Sequence, residues 1–354
     1  MPSPSLREEI GQLLVVGFRG CVPAECDVIV RDLREHHLGG VILFDQDMTG
    51  GTIDTANRRR NIASPAQVKE LVAFLQRQAR VPLLVSIDQE GGRVNRLKPA
   101  YGFPGSISHE ELGRLDQPAA TYRHAALTAQ TLAGLGINLN LAPVVDLDAN
   151  PDNPIIKGKR RSFAADPEVV ACHAAEFVRA HRDRHVLTCT KHFPGHGSAA
   201  GDTHLGLVDV TATWNDRELI PFQRLIEAGL CDAVMSAHVF NAKLDPTHPA
   251  TLSRAVLTEL LRGRLGFQGV IMSDDMEMKA ISSHYGLENS VPAAINAGVD
   301  LLCFGNNLSY DPGIAGKAIA IIARAVDSGT LPESRIHESC ERVLALKRKA
   351  AIIP

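Results

Sequence analysis

Three short segments concentrate side chains able to move protons, attack carbon or grip hydroxyl groups. The segment KHFPGHGSAAGDTHLGLVD spans 191–209 and carries Lys191, His192, His196, Asp202 and His204. Asp202 and His204 are two residues apart, close enough in a loop to hydrogen-bond. A carboxylate beside an imidazole fixes its tautomer and raises its pKa, which makes a proton donor usable near neutral pH. Gly195, Gly197 and Gly201 predict a permissive, mobile backbone around them. The alternative is an ordinary polar loop with incidental histidines. In GVIMSDDMEMKA (269–280), Asp274 and Asp275 follow an apolar run. A carboxylate there can be a nucleophile, a base or a stabiliser of positive charge, while its neighbour caps the next helix. Met276 and Met278 are expected to pack or line the mouth. In SIDQEGGRVNR (86–96), Asp88 precedes Arg93 and Arg96. A carboxylate plus an arginine can hold neighbouring hydroxyls as acceptor and donor. Arg161, in KGKRRSF, is a further cation.

These residues need elements to bring them together. Eight short apolar runs recur along the chain: 13–18, 40–44, 82–88, 137–143, 186–192, 232–238, 269–274 and 299–304. Continuous apolar runs of this length suit parallel strands buried on both faces. A helical pattern follows each. At 64–80, Ser64 reads as an N-cap, Pro65 as the first helical residue and Gln67 as the partner in a capping box. Asp166-Pro167 and Ser253 read as further helix starts, and 333–349 as a closing helix whose basic end, Lys347 to Lys349, is solvated. Eight strand–helix units predict a single (β/α)8 TIM barrel over 1–354, without a second domain; a doubly wound open sheet is the alternative. Asp88, Asp146, Lys191, His192, His238 and Asp274 all fall at the C-terminal ends of these runs. A barrel gathers such ends around one mouth, whereas an open sheet spreads them along a line.

Composition removes other classes. Lys and Arg total 37 against 40 for Asp and Glu, a net charge of −3 that argues against a nucleic-acid partner. Aromatic residues are 5%, with Trp214 alone of its kind, which is poor material for base stacking. No run approaches the ~20 apolar residues of a membrane span. The start lacks a signal-peptide layout, and seven scattered cysteines without a CxxC predict a reduced, cytoplasmic protein. The histidines and aspartates could in principle hold zinc. However, HExxH is absent and the first strand has no HxH, so neither a metal nor a cofactor is expected.

Taken together, KHFPGHG with Asp202-Thr203-His204, IDQEGGRVNR, NPIIKGKRRSF and GVIMSDDMEM resemble glycoside hydrolase family 3 over about residues 10–345. More narrowly, they resemble its bacterial β-N-acetylglucosaminidases of peptidoglycan recycling. The resemblance implies a retaining, two-step mechanism. Asp274 aligns with the nucleophile, His204 with the general acid/base and Asp202 with its dyad partner. Asp88, Arg96, Arg161, Lys191 and His192 align with residues that hold the terminal sugar; Arg93 is a weaker match, and Arg160 is the fallback for Arg161. Many family members carry a second domain that donates a carboxylic acid. A chain ending at Pro354 is expected to lack it and to rely on the loop histidine. The implied substrate is a small carbohydrate bearing terminal β-linked GlcNAc, such as a muropeptide; a monomer is plausible. Competing readings are a phosphorylase using the same dyad, a β-glucosidase and a carbohydrate sensor on an inactive barrel.

Overall fold

The structure, a computed structural model, describes residues 4–49, 52–53 and 59–353. Eight parallel strands close into a barrel in chain order: β1 (Leu14–Gly17), β2 (Gly40–Leu43), β3 (Leu84–Ile87), β4 (Leu139–Asn140), β5 (Leu187–Phe193), β6 (Ala233–Ser236), β7 (Val270–Asp275) and β8 (Leu301–Phe304). Closure is made by β8 against β1, with Leu14 opposite Leu302 and Val16 opposite Phe304. Each strand falls within one residue of a run read from the sequence. The open-sheet alternative is thereby excluded. Continuous apolar runs arise because every strand faces two apolar layers. Val15, Leu84, Leu139, Leu187, Val270 and Leu301 fill the interior, while Leu14, Val16, Val85 and Leu302 face the helices.

Eleven helices surround or close the barrel among the described residues: α1 (Leu6–Gln12), α2 (Asp27–His36), α3 (Pro65–Gln78), α4 (His109–Leu115), α5 (Pro118–Leu135), α6 (Pro167–Arg182), α7 (Ile220–Glu227), α8 (Ala255–Arg264), α9 (Lys279–Ala297), α10 (Ile314–Asp327) and α11 (Glu333–Lys349). Asp166 caps α6 by accepting the Glu168 and Val169 N–H groups. Ser64 caps α3 by accepting from the Gln67 N–H, yet the expected reciprocal box is not made. The Gln67 side chain instead accepts the Ala63 N–H at 2.7 Å and donates to the carbonyls of Cys21 and Asn61, tying the helix start to the β1 loop. No helix of the described residues is long and apolar enough to cross a membrane.

The closing helix departs from expectation. Val343, Leu346 and Ala350 plug the interior at the N-terminal end of the barrel. Lys347 is consequently buried, donating to Gln12 Oε1 at 2.8 Å, and Lys349 pairs with Asp232 at 2.7 Å. Arg348 and Lys349 stay exposed as expected, so Lys347 alone departs from the solvated reading of the basic end. A helix that stoppers a barrel must present its last turn to the strands, whatever its charge.

Candidate active site

The mouth at the C-terminal ends of the strands holds a cavity of about 300 Å³. Asp88, Arg96, Arg161, Lys191, His192, Asp202, His204 and Asp274 all line it. Thus the eight residues to which the resemblance gave roles meet in one place, drawn from β5, β7 and the loops after β3, β4 and β5, whereas Asp146 and His238 are not among the residues lining it. Arg93 also lines the cavity. Arg160 does not: it is exposed and lies 3.5 Å from Glu110, so Arg161 is the arginine delivered by the KGKRRSF segment.

One wall is an interlocked charge network. Lys191 Nζ lies 2.8 Å from Asp88 Oδ1 and 2.8 Å from Glu90 Oε1. Arg96 reaches Asp88 Oδ2 at 3.1 Å. Arg161 closes on Glu90 through two bonds, Nε to Oε2 at 2.8 Å and Nη2 to Oε1 at 2.7 Å. Its third contact is Nη2 to His192 Nε2 at 3.2 Å. Because an arginine only donates, His192 accepts there and carries its hydrogen on Nδ1, which donates to Asp146 Oδ2 at 2.6 Å. Burial opposes ionisation of Asp88, but Lys191 and Arg96 outweigh it and hold its pKa at about 2. Burial likewise opposes charge on Glu90, where Arg161 and Lys191 outweigh it, and on Lys191, where Asp88 and Glu90 outweigh both burial and the repulsion of Arg161. The result is a rigid set of acceptors and donors of fixed sign, suited to a ring of hydroxyls.

Glu90 and Asp146 were not assigned roles from sequence. Glu90 sits inside the IDQEGG motif, two residues beyond Asp88. A signal existed in the charge count: Arg96, Arg161 and Lys191 at a buried mouth need more than one carboxylate.

The loop after β5 is anchored first and exposed later. Asp146 Oδ1 accepts the His196 N–H at 2.7 Å, Glu218 Oε2 accepts the Gly197 N–H at 2.9 Å, and Trp214 Nε1 donates to the Pro194 carbonyl at 3.0 Å. Residues 191–199 are buried throughout. Two of its glycines serve close approach: a Cβ on Gly197 would lie 2.1 Å from the Leu147 carbonyl oxygen, and Gly195, at φ +122°, has Glu218 against it. Beyond the mobility read from the sequence, these glycines have a packing role: Gly197 lets backbone meet backbone, and Gly195 makes room for the Glu218 side chain. Beyond Gly201 the loop surfaces. There His204 Nδ1 donates to Asp202 Oδ1 at 2.7 Å, and the same oxygen accepts the His204 N–H at 2.9 Å. This leaves His204 Nε2 as the ring atom able to exchange a proton. Burial opposes charge on Asp202, but the hydrogen bonds from His204 prevail and lower its pKa.

At the end of β7 the two aspartates divide their tasks. Asp275 Oδ1 accepts the Gly305 and Glu277 N–H groups, each at 3.0 Å, clasping β8 and the turn into α9. Burial pushes its pKa up to about 6. Asp274 Oδ1 accepts only the Asp275 N–H, at 2.8 Å, among the described residues. Burial again opposes ionisation, but His238, His192 and His204 with that N–H outweigh it, and its pKa is lowered. An ionised carboxylate with free lone pairs, in one cavity with a carboxylate-backed imidazole, can attack carbon while the imidazole handles the proton. Met276 and Met278 are buried, and Met278 lines the cavity. Among the described residues no group of three or more His, Cys, Asp or Glu is placed to hold a metal ion.

The chain matches the glycosyl hydrolase family 3 N-terminal domain over residues 5–346. It belongs to that family. The β-hexosaminidase of Tolumonas auensis is 36% identical over 300 residues, covering 83% of both chains. That of Xylella fastidiosa strain M23 is 37% identical over 324 residues, covering 88% of this chain and 87% of the other. The family 3 β-N-acetylglucosaminidase of a Paenibacillus species superposes with a TM-score of 0.89 at 39% identity; the match covers 99% of this chain but 63% of that one. The β-N-acetylhexosaminidase of Beutenbergia cavernae gives 0.84 at 33% identity, covering 98% and 99%. This family 3 chain is therefore a glycoside hydrolase, and its barrel mouth is the candidate catalytic centre.

Proposed function

We propose that this family 3 hydrolase removes terminal, non-reducing β-linked GlcNAc by a retaining double displacement. The observation that carries the reading is the pairing, in one cavity, of ionised Asp274 with the His204–Asp202 dyad. In the first step Asp274 attacks the anomeric carbon. The glycosidic bond breaks, and protonated His204 gives its Nε2 proton to the departing oxygen. In the second step neutral His204 takes a proton from water as that water attacks the same carbon and releases Asp274. Asp202 holds the ring and stabilises the imidazolium that donates in the first step and re-forms in the second. Asp88, Arg96, Arg161, Lys191 and His192 hold the terminal sugar.

An imidazole acid has an electrostatic motive. Retaining glycosidases usually pair two carboxyl groups about 5–5.5 Å apart. A histidine discharges to neutral and places no second anion near Asp274. The same feature suits anionic substrates, so the preferred substrate is a peptidoglycan fragment in which GlcNAc is joined to 1,6-anhydro-N-acetylmuramic acid. The names of the Tolumonas and Paenibacillus relatives support the hexosaminidase reading over a glucosidase.

The test is nitrophenol release from 4-nitrophenyl N-acetyl-β-D-glucosaminide, with and without phosphate, by wild type and Asp274→Asn. Turnover independent of phosphate, and reduced at least about 1,000-fold in the variant, is the expected result. An active Asp274→Asn enzyme would sink the nucleophile assignment. Dependence on phosphate would move the reaction to phosphorolysis, and preference for the matching glucoside would move the substrate.

A further inference from the structure

Among the described residues, two cations on the cavity wall have no carboxylate of their own. Arg161 is closed on Glu90, Arg96 on Asp88 and Lys191 on both acids. By contrast, among the described residues no carboxylate oxygen lies within 4.0 Å of the Arg93 guanidinium or the Lys159 ammonium, although both residues line the cavity. The two belong together. Arg93 Nη1 donates to the Gly158 carbonyl at 2.7 Å, which pins the β3 loop to the turn that presents Lys159 as its next residue. The other cations of that turn are occupied. Lys157 binds Asp148 at 2.6 Å and Glu110 at 3.2 Å, and Arg160 leans on Glu110. Only Lys159 of the three points its charge at the cavity.

Position tells what this charge meets. Lys159 lies within electrostatic reach of Arg161 and Arg96, which repel it, and of Asp202, which attracts it; burial comes first in lowering its pKa. It therefore adjoins both the cations of the sugar grip and the dyad. A proton donor must face the glycosidic oxygen, so the leaving group lies past His204. A cation beside that dyad, unneutralised and facing the cavity, faces the leaving group. Resting on the function proposed above, we infer that Arg93 and Lys159 form an oxyanion-binding position on the leaving-group side of the site and select aglycones by it. The oxyanion has two possible sources: a carboxylate carried by the leaving sugar, or inorganic phosphate seated at the same place. A bound phosphate could attack the anomeric carbon of the glycosyl-enzyme, expelling Asp274 and forming a sugar 1-phosphate.

The experiment uses a matched pair of substrates, GlcNAc-β-1,4-anhydro-N-acetylmuramic acid with its free lactyl carboxylate and the methyl ester of that acid. For each enzyme the ratio of kcat/KM, acid over ester, is measured. Taking the ratio within each variant cancels any difference in the folded fraction. Wild type is expected to prefer the acid roughly tenfold, the scale of one charge-assisted hydrogen bond. Lys159→Met should bring the ratio close to one. Lys157→Met removes the same charge two residues away and should leave the wild-type ratio. A ratio unchanged in Lys159→Met overturns the inference. In a parallel arm, phosphate is titrated into the nitrophenyl assay. Phosphate-driven release of GlcNAc 1-phosphate, lost in Lys159→Met, would assign the position to phosphate instead of the carboxylate. Wild-type nitrophenyl turnover with a ratio of one and no phosphate response overturns this inference alone. No turnover of any of these substrates overturns the proposed function, and the inference with it.

Discussion

At the scale of single residues, the site is a contest between burial and pairing, and pairing wins where partners are fixed. Arg161 illustrates the stakes. It is 8% exposed, and it is the bidentate partner of a carboxylate, Glu90, that is 4% exposed. Replacing it by Met removes both bonds and leaves Glu90 with Lys191 alone. Breaking a buried pair from one side costs about 3–5 kcal/mol. We expect Arg161→Met to lower stability to denaturant on that scale and to raise KM, because Glu90, which holds Lys191, loses its bidentate partner. A variant as stable as wild type would show that Lys191 suffices. Asp202 acts differently, through the protonation of His204. Asp202→Ala should reduce kcat by about 10- to 1,000-fold. The pH–rate profile should change as well, since the carboxylate that fixes the tautomer and orientation of the imidazole is gone. Unchanged kcat together with an unchanged profile would remove the dyad.

At the scale of elements, the loop after β5 joins a buried anchor to an exposed tip. Its anchor depends on backbone amides held by Asp146 and Glu218, with glycine where the chains touch. Gly197→Ala would put a Cβ 2.1 Å from the Leu147 carbonyl oxygen, a contact that only backbone movement can relieve. Forcing extra volume into such packing costs about 1–3 kcal/mol. The expected outcome is a lowered Tm and a loss of kcat greater than the loss of sugar affinity, because the loop carries His204 whereas the sugar grip sits on β5 and the loops after β3 and β4. Equal losses in both would mean that the whole mouth has shifted.

At the scale of the whole molecule, the layers outside the barrel hold ionisable groups in neutral form. His181 lies on α6 against β4. Its Nδ1 donates to the Phe177 carbonyl at 2.9 Å, its Nε2 meets Asn140 Nδ2 at 3.0 Å, and its ring stacks on Phe177 at 4.3 Å. Burial lowers its pKa from 6.5 to about 4. Below pH 6.5 the unfolded chain takes up a proton that the folded chain refuses until about pH 4. The stabilisation is therefore fully present above pH 6.5 and is lost as pH falls through about 4. A His181→Gln variant, which never charges, should be less stable than wild type at pH 7.5, and the gap should shrink by about 3 kcal/mol on going to pH 4. Denaturant melts of both proteins across that range provide the check. A gap independent of pH would show that His181 titrates in the fold as it does in the unfolded chain.

Sequence by itself determined the barrel, because each strand of a closed parallel sheet is apolar on both faces and so reads as an unbroken run. It also placed Asp88, Lys191, His192 and Asp274 at the mouth, since strand-end polar groups converge once the sheet closes, while the resemblance to family 3 supplied the loop residues Arg96, Arg161, Asp202 and His204. For Asp274 and Asp275 it proposed one residue at the mouth and one at a cap. Only the tertiary structure showed that Asp275 clasps Gly305, just past β8, while Asp274 accepts only the Asp275 N–H among the described residues. Glu90, Asp146 and Glu218 gained their roles the same way, through partners 71, 46 and 21 residues away in the chain. Lys347 is the clearest case of what local pattern cannot reach. Its place at a basic helix end predicts a solvated cation, yet the barrel floor above that helix decides its burial. Apolar periodicity is a property of neighbours in the chain. The neutralisation of a buried charge is a property of neighbours in space.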